Sequence, residues 1–500
     1  MDPINKPPGF TTLASINHDV GWPPLPPSPT LDLYITAEDY GTPDTWNTKT
    51  KLPDPILAKL KIAKNTLASS FNIPVGEYTN IFTTSDIHAD LFAISRILFN
   101  SNITTAHVLD DLSNVFDIKW NPVSTNVLLV IVGDIVDGRR GDLSVNDPIG
   151  DIEIKLHIFL YNLRLSAREY NSELRFMIGN HDYMTVIQDN QIQRTPYSYP
   201  KPYNVLRDPY DEYKIKESYY GVIDIFYKKY VHTTAVTFFG SRENRKNCLL
   251  PFYECCPYIC ITVDDELIFV HGSLHGGNKG TYNFTDDLIK VQGLIDKSSI
   301  QETLGNYSGG TVENIKFIAN VNDKYSNYGG PMWSRFYSKG AERDVCKVIK
   351  ESPYKMTVVG HCQTNNCSED PGHLYDIINK PPYSTNNCFS DGGCVLLGCV
   401  DGSGPRIAFV DISMSRAFDN KGVREEILLL QYEYPKSYFV NRYYTNIFRI
   451  NTSEDPIDVI RVWPTDDSSV YNPTRGGKRK VYTTRKNKRI RHKKSRKYRG

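Results

Sequence analysis

Along most of this chain the hydrophobic positions come in short bursts that stop abruptly in polar clusters. Residues 79–83, 127–132, 174–178, 267–270 and 356–359 are five such bursts, each of strand length and bounded by turn residues, and they predict buried β-strands. They close on Ser85-Asp86-Ile87-His88, Gly133-Asp134-Ile135-Val136-Asp137-Gly138, Gly179-Asn180-His181-Asp182, His271-Gly272 and Gly360-His361. Apolar residues at helical spacing predict a helix over 56–71, a second behind the first burst from Leu91 to Leu98, and a third over about 152–170. Sheets of alternating α/β chains collect their sites at strand carboxyl ends, so the five polar clusters are candidates for one shared site.

Two stretches interrupt this series. Residues 183–260 carry ten tyrosines up to Tyr230, together with X-Pro breaks; residues 276–330 hold a helical pattern near 288–295 between Gly-rich loops. Loops at strand ends surround the site, which makes both insertions candidate lids, although tyrosines at such places more often simply pack. Strand-like runs return at 407–411 and 427–434. Residues 1–50 contain Pro7-Pro8, Pro23-Pro24 and Pro26-Pro27-Ser28-Pro29 without any period, the pattern of an extended arm. The expected organisation is a proline-rich arm (1–50), one main domain (51–435) with insertions at about 183–260 and 276–330, a C-terminal extension (436–474) and a disordered tail (475–500).

Composition sharpens this in three ways. With 500 residues, 40% of them hydrophobic and 23% charged, the chain has enough apolar surface for a large core; a single small module and wholesale disorder are excluded. Its longest apolar run, 127–132, falls far short of the roughly 20 residues of a membrane span, and the first 30 residues do not read as a leader, so the expectation is a soluble cytoplasmic or nuclear chain, not secreted and without membrane partners. The net charge of +1 conceals an asymmetry: residues 475–500 hold 14 Lys or Arg and no acid, leaving 44 bases against 57 acids before them, a net of −13. All ten cysteines lie between Cys248 and Cys399 at irregular spacing, as expected of reduced thiols. A zinc site from Cys362, Cys367, Cys388 and Cys394 is the alternative, without a CxxC pair to support it.

The candidate chemistry sits in the polar clusters. Asp86 and His88, two apart on what reads as an extended segment, would point to one face and share a cation. Asp134 ends a buried strand, where a carboxylate is costly unless it meets metal or hydrogen-bond donors. Asn180 adds a neutral oxygen, and His271 and His361 add imidazoles from separate strand ends, so that these six side chains make a two-ion site in which Asp134 is shared. His275, four residues after His271, competes as a ligand from beyond the strand end. Two close cations lower the pKa of a shared water, orient it in line and neutralise phosphoryl charge, which is what phosphate-ester hydrolysis requires. His181 is placed to protonate the departing oxygen and Asp137 to orient that imidazole. Arg139 or Arg140, and Arg335, are candidates to clamp a phosphate in a planar fork, Arg335 equally for a structural ion pair. His157 and His232 read as ordinary core or surface histidines.

Taken in order, Asp86-x-His88, Gly133-Asp134-x-Val136-Asp137, Gly179-Asn180-His181-Asp182, His271-Gly272 and Gly360-His361 resemble the five motifs of the calcineurin-like metallophosphoesterases, most closely the phosphoprotein-phosphatase branch. Within that branch, Trp333-Ser334-Arg335, Val358-Val359-Gly360-His361 and the segment 411–416 are similar to the Shewanella-like, or bacterial-like, protein phosphatases. The resemblance covers roughly residues 75–420. It implies a four-layer αββα sandwich with two mixed β-sheets, a dinuclear centre of Mn, Fe or Zn type built from divalent or trivalent ions, and direct hydrolysis of phosphomonoesters, commonly on phosphorylated protein side chains. By the family pattern Asp86, His88 and Asp134 hold the first ion and Asp134, Asn180, His271 and His361 the second, with a hydroxide bridging them; His181 is the acid, Asp137 its orienter, and arginines, of which Arg335 matches better than Arg139, meet the phosphate. Three positions depart from the pattern: Gly138 stands where an arginine is usual, Asp182 replaces the commoner glutamate, and Ala89 replaces a glycine. None removes a metal ligand.

Two other readings stay open: a phosphodiesterase or nucleotide or nucleic-acid phosphohydrolase on the same scaffold, and a non-catalytic binding protein tethered to nucleic acid. Both are encouraged by the tail, where Lys478, Arg479, Lys480, Arg485, Lys486, Lys488 and Arg489 predict salt-sensitive, non-specific contact with nucleic acid or another polyanion if the segment is more than a solvated arm. Tails of this kind resemble those on proteins of giant DNA viruses, which would place the chain in a host cell or virion.

Overall fold

The computed structural model describes residues 31–41, 51–137, 149–187, 242–264, 266–276, 282–283, 285–305, 330–339, 351–362, 394–398, 405–412, 425–432, 444–452 and 457–463, with isolated positions between them. These belong to one compact unit spanning 1–465; a second unit, 466–500, lies outside the described residues, and with it the whole basic cluster.

In chain order the principal elements are helices α1 (Ala37–Tyr40) and α2 (Asp54–Thr66), strands β1 (Asn72–Ile73) and β2 (Asn80–Thr84), helix α3 (Leu91–Asn100), strand β3 (Val127–Ile131), helix α4 (Ile149–Arg168) and strand β4 (Glu173–Phe176). Helix α5 (Arg242–Cys255), strands β5 (Cys260–Val263) and β6 (Leu267–Val270) and helix α6 (Thr285–Ile295) follow. The chain then adds β7 (Met356–Val359), β8 (Val395–Gly398), β9 (Pro405–Phe409), β10 (Glu426–Tyr432), β11 (Tyr444–Asn451) and β12 (Asp458–Trp463). Two six-stranded sheets result, ordered β1-β5-β6-β7-β9-β8 and β12-β11-β10-β2-β3-β4. Both are mixed: β2, β3 and β4 run parallel, as do β6, β7 and β9, while β10–β12 and β8 pair antiparallel. The fold is the mixed α/β, two-sheet architecture of the metallophosphoesterase type expected from the motifs.

Each of the five bursts is a strand within two residues of its predicted limits, because its side chains are buried on both faces: β2, β3, β4, β6 and β7 have no exposed position. Register then aligns their ends. Thr84 pairs with Ile131, Ile131 with Phe176, and Val270 with Val359, so each sheet delivers its polar clusters at one level.

Four sequence expectations change. Residues 31–41 are not an extended arm. Thr36 caps α1 in a reciprocal box with Asp39, and Ile35 exchanges hydrogen bonds with Asn162 of α4 at 2.9 and 2.7 Å, burying Leu33, Ile35 and Tyr40. The rest of the first 50 residues lies outside the described ones. Within the supposed lid at 183–260, residues 242–255 form α5, whose Leu249, Phe252 and Tyr253 are buried, and 260–263 form a sheet strand; 188–238 lie outside the described residues. Likewise α6 buries Leu288, Val291 and Ile295, and its Gln292 accepts from the backbone of Ile259 and Cys260, so it is core rather than lid. Beyond the main-domain limit at 435, β11 and β12 complete the second sheet, held by the buried pair Arg449–Glu426 at 2.6 Å. The six described cysteines are buried; Cys367 and Cys388 lie outside the described residues. Among those residues, no helix is long and apolar enough to cross a membrane.

Glu173 at the start of β4 accepts from Arg164 and Arg168 of α4, each at 2.8 Å, and Arg164 also donates to the carbonyls of Leu67 and Cys255. One buried carboxylate thus joins β4, α4, α5 and the end of α2. Burial would raise its pKa, but the three guanidinium charges of Arg164, Arg168 and Arg175 hold it down to about 2, against an ordinary 4.5. A depressed carboxylate stabilises the fold above its unfolded pKa and loses that contribution as pH falls through the folded value. Glu173→Gln is therefore expected to cost about 3 kcal/mol at pH 7, with the gap to the parent closing between about pH 4.5 and 2. Urea unfolding of both chains at pH 7 and pH 3 checks this, and an equal gap at the two pH values would refute it.

Candidate metal centre and proton donor

The loops that follow β2 and β3 are bound to one another by backbone. Asp86 N–H donates to Gly133 O at 3.0 Å, His88 N–H to Asp134 O at 2.9 Å and Ala89 N–H to Ile135 O at 2.7 Å. Asp86 (φ 53°) and His88 (φ 44°) are left-handed, so their common direction comes from a tight turn and not from strand alternation, which ends at Thr84. Asp134, Asp137 and His361 are left-handed as well, with φ of 54°, 72° and 61°. Such conformations cost of order 1–3 kcal/mol each and persist where surrounding structure over-determines them, commonly at functional sites.

Asp182 supplies much of that constraint. Its Oδ1 accepts from the N–H of Ile135 and Val136 and from Tyr253 Oη, and its Oδ2 accepts from Gly179 N–H. The position that departs from the usual glutamate is thus a buried clamp joining the loops after β3 and β4 to α5. Gly179 allows the same approach: a Cβ there would lie 2.1 Å from Asp134 Oδ1.

Asp134 stands at the centre. Its Oδ2 lies 3.3 Å from His271 Nε2, 3.8 Å from His88 Nε2 and 3.9 Å from His181 Nε2, and all these groups are buried. Two sets of ligand-type atoms could each hold a metal ion, His88–Asp134–His181 and Asp134–His271–His361, and they share Asp134. Asn180 Oδ1 is 2.9 Å from His271 Nε2. Asp86 reaches the same centre, its Oδ1 3.9 Å from His88 Nε2 and its Oδ2 accepting from Ser85 Oγ and His361 N–H. All six residues expected as ligands therefore meet in one place, with His181 at its edge.

Their chemistry fits cations. Nδ1 of His271 faces Val132 O at 2.7 Å and Nδ1 of His88 faces Val136 O at 3.2 Å, contacts that require Nδ1–H and leave the Nε2 lone pair turned inward. Around His271 Nε2, Asn180 Oδ1 and Asp134 Oδ2 are also acceptors, so the cluster needs a proton or a metal ion at its centre. The titration pattern says the same. Burial, then repulsion from Asp134, raises Asp86 to about 7 although His271 opposes it. His271 rises to about 10 against burial, drawn up by Asp134. Burial holds His88 down to about 3, reinforced by His181, and holds His361 well below the imidazole range, reinforced by Arg335 and His271; both are in the neutral form that ligates metal. Asp134 stays well below the carboxylate range because His271 and His181 outweigh its burial.

Beside this centre His181 Nδ1 meets Asp137 Oδ2 at 2.9 Å, the pairing expected of an oriented imidazole. Burial would lower the pKa of His181, but Asp134 and Asp137 raise it; Arg245, then His181, hold Asp137 at about 2 against its own burial. Arg245 was invisible in the sequence, where it is one base among several in 242–246; only α5 brings it here. Arg335 is exposed and its Nε donates to His361 Nε2 at 3.3 Å, at the mouth of the centre beside the half-buried Trp333. Arg139, Arg140 and Gly138 lie outside the described residues, and His157 is a core residue among Phe176, Phe252 and Tyr253.

Two mixed sheets whose strand ends converge on shared Asp and His ligands define the metallophosphoesterase class of site. The chain belongs to the calcineurin-like phosphoesterase family, whose model matches residues 79–361, more than half of its length. Members of that family generally bind two divalent metal ions. Similar solved structures include a cold-active protein tyrosine phosphatase, at 14% identity and TM-score 0.42 over 80% of this chain and 82% of that one. Another is the cold-active protein-tyrosine phosphatase of a psychrophilic Shewanella species, at 14% identity and TM-score 0.39 over 79% and 84%. No curated protein shows a significant sequence match.

Proposed function

We propose that this chain hydrolyses phosphomonoesters, with phosphorylated protein side chains as substrates, at the centre around Asp134. The observation that carries the reading is one buried carboxylate, Asp134, gathered with the imidazoles of His88, His271 and His361, and beside it His181, whose Nδ1 meets Asp137. Asp86, His88 and Asp134 would hold one ion and Asp134, Asn180, His271 and His361 the other, of Mn, Fe or Zn type. When bound, the two ions would activate and orient water and neutralise phosphoryl charge.

The chain's own residues supply the rest. Asp137 holds Nδ1 of His181, which leaves Nε2 to give its proton to the departing oxygen as that oxygen takes the electrons of the breaking P–O bond and water oxygen forms the new one. Arg335, exposed at the mouth, is within reach of an incoming phosphate once released from His361, and Arg139 is the second candidate. The basic tail from Lys478 to Arg489 would hold the enzyme near polyanions through salt-sensitive contact.

A panel of phosphoserine, phosphothreonine and phosphotyrosine peptides, nucleotides and bis(p-nitrophenyl) phosphate, assayed with manganese, tests this. Monoester peptides are expected to turn over at least about 100-fold faster than the diester, with His181→Asn about 100-fold slower than the parent on the peptides. Faster diester or nucleotide turnover would establish the phosphodiesterase or nucleotide-hydrolase reading instead, and no turnover of any ester would leave a binding protein.

A further inference from the structure

Behind the His181–Asp137 pair lies a second layer of charge. Arg245 of α5 donates through Nη2 to Asp137 Oδ1 at 2.8 Å, while Asp137 Oδ2 faces His181. The same guanidinium takes both oxygens of Glu153 on α4, Nε to Oε2 at 2.9 Å and Nη2 to Oε1 at 2.5 Å. Glu153 Oε1 also accepts the backbone N–H of Asp137 at 3.0 Å. Arg245, Glu153 and Asp137 are 4%, 0% and 2% exposed, so the interactions are dry and their geometry is set by packing of α4 against α5.

Resting on the reading of His181 as proton donor, we propose that Arg245, anchored by Glu153, is a positioning residue for that donor: it fixes Asp137 in both carboxylate orientation and backbone, and through it the direction of the His181 ring. The backbone geometry supports this. Asp137 has a left-handed backbone (φ 72°), so its placement requires outside support; Glu153 holds its N–H and Arg245 its Oδ1. Without Arg245 the Asp137 carboxylate loses a fixed donor and can turn from His181, and Nε2 then no longer points reliably at the leaving oxygen.

A merely structural bridge between α4 and α5 would affect all substrates alike, whereas a donor-positioning role matters in proportion to the leaving group's need for a proton. The test compares kcat and KM of the full chain, manganese-loaded, on p-nitrophenyl phosphate and on a phosphoserine peptide. The variants are Arg245→Met, Arg245→Lys, Asp137→Asn and His181→Asn. Arg245→Met is expected to lower kcat about 100-fold on the peptide and no more than about threefold on the aryl ester, with KM and bound-metal content unchanged and with Lys restoring roughly tenfold. Adding Arg245→Met to Asp137→Asn should cost little more, since the two act as a unit.

Equal losses on both esters, in Arg245→Lys as well as Arg245→Met, would overturn the proposal, and if the Met variant does not fold the Lys variant decides by the same ratio. A leaving-group-selective loss in His181→Asn without one in the Arg245 variants would overturn the role of Arg245 alone. Absence of that selectivity in His181→Asn would remove the proton-donor reading itself, and the proposal with it.

Discussion

Asp134→Asn is expected to abolish turnover, by roughly 1,000-fold or more, and to strip the purified protein of metal while leaving its unfolding transition within a few degrees of the parent. The asymmetry follows from how the two carboxylate oxygens are used. Oδ1 accepts the N–H of His181 at 2.9 Å, a bond that an asparagine oxygen keeps. Oδ2 is the atom the two ligand sets share, and an amide nitrogen there presents hydrogens where a cation would sit. Removing the charge also relieves the repulsion that Asp134 exerts on buried Asp86, which offsets the loss of its attraction to His271. Elemental analysis, a melting curve and a phosphatase assay on the same preparation check the three parts together. A variant that retains both metal and activity would show that Asp134 is not the shared ligand.

Gly133→Ala is expected to do the reverse, damaging the fold and the site together. Gly133 has φ of 85°, a conformation that costs an alanine, and an added Cβ would lie 2.7 Å from Gly179 Cα, Gly179 N and His271 Nδ1. None of the first two can move without displacing Asp134 or the turn that carries Asn180, and the third would lose its bond to Val132 O. Backbone strain and overpacking together are expected to cost about 3 kcal/mol or more, with turnover falling in parallel. Denaturant unfolding and activity measured at several temperatures test it; an alanine variant with the parent's stability would mean that the loops after β3 and β4 have room that the geometry denies.

How far these residues could be read in advance depended on the range of the interaction involved. The five strands were legible because burial on both faces leaves a run of apolar residues, and the candidate ligands because each follows such a run directly. Strands β5 and β8 carry a weak local signal, since Cys260–Val263 and Val395–Gly398 sit inside cysteine-bearing stretches, and β11 and β12 follow the last motif. Asp86 and His88 were expected to share a face by strand alternation; they share it through left-handed turns instead, because the strand ends at Thr84 and the backbone bonds to the neighbouring loop decide the rest. Arg245 carried no local signal: its partners Asp137 and Glu153 are 108 and 92 positions away in the chain.

By itself the order of residues determined the family, the strand ends and the six candidate ligand side chains, since side-chain type and hydrophobic period are local properties written into each segment. Only tertiary structure decided that two sheets bring their ends to one carboxylate, that Asp182 joins the loops after β3 and β4 to α5, and that Arg245 stands behind the His181–Asp137 pair. Those are contacts between segments far apart in the chain, and their geometry exists only once the core between them has packed.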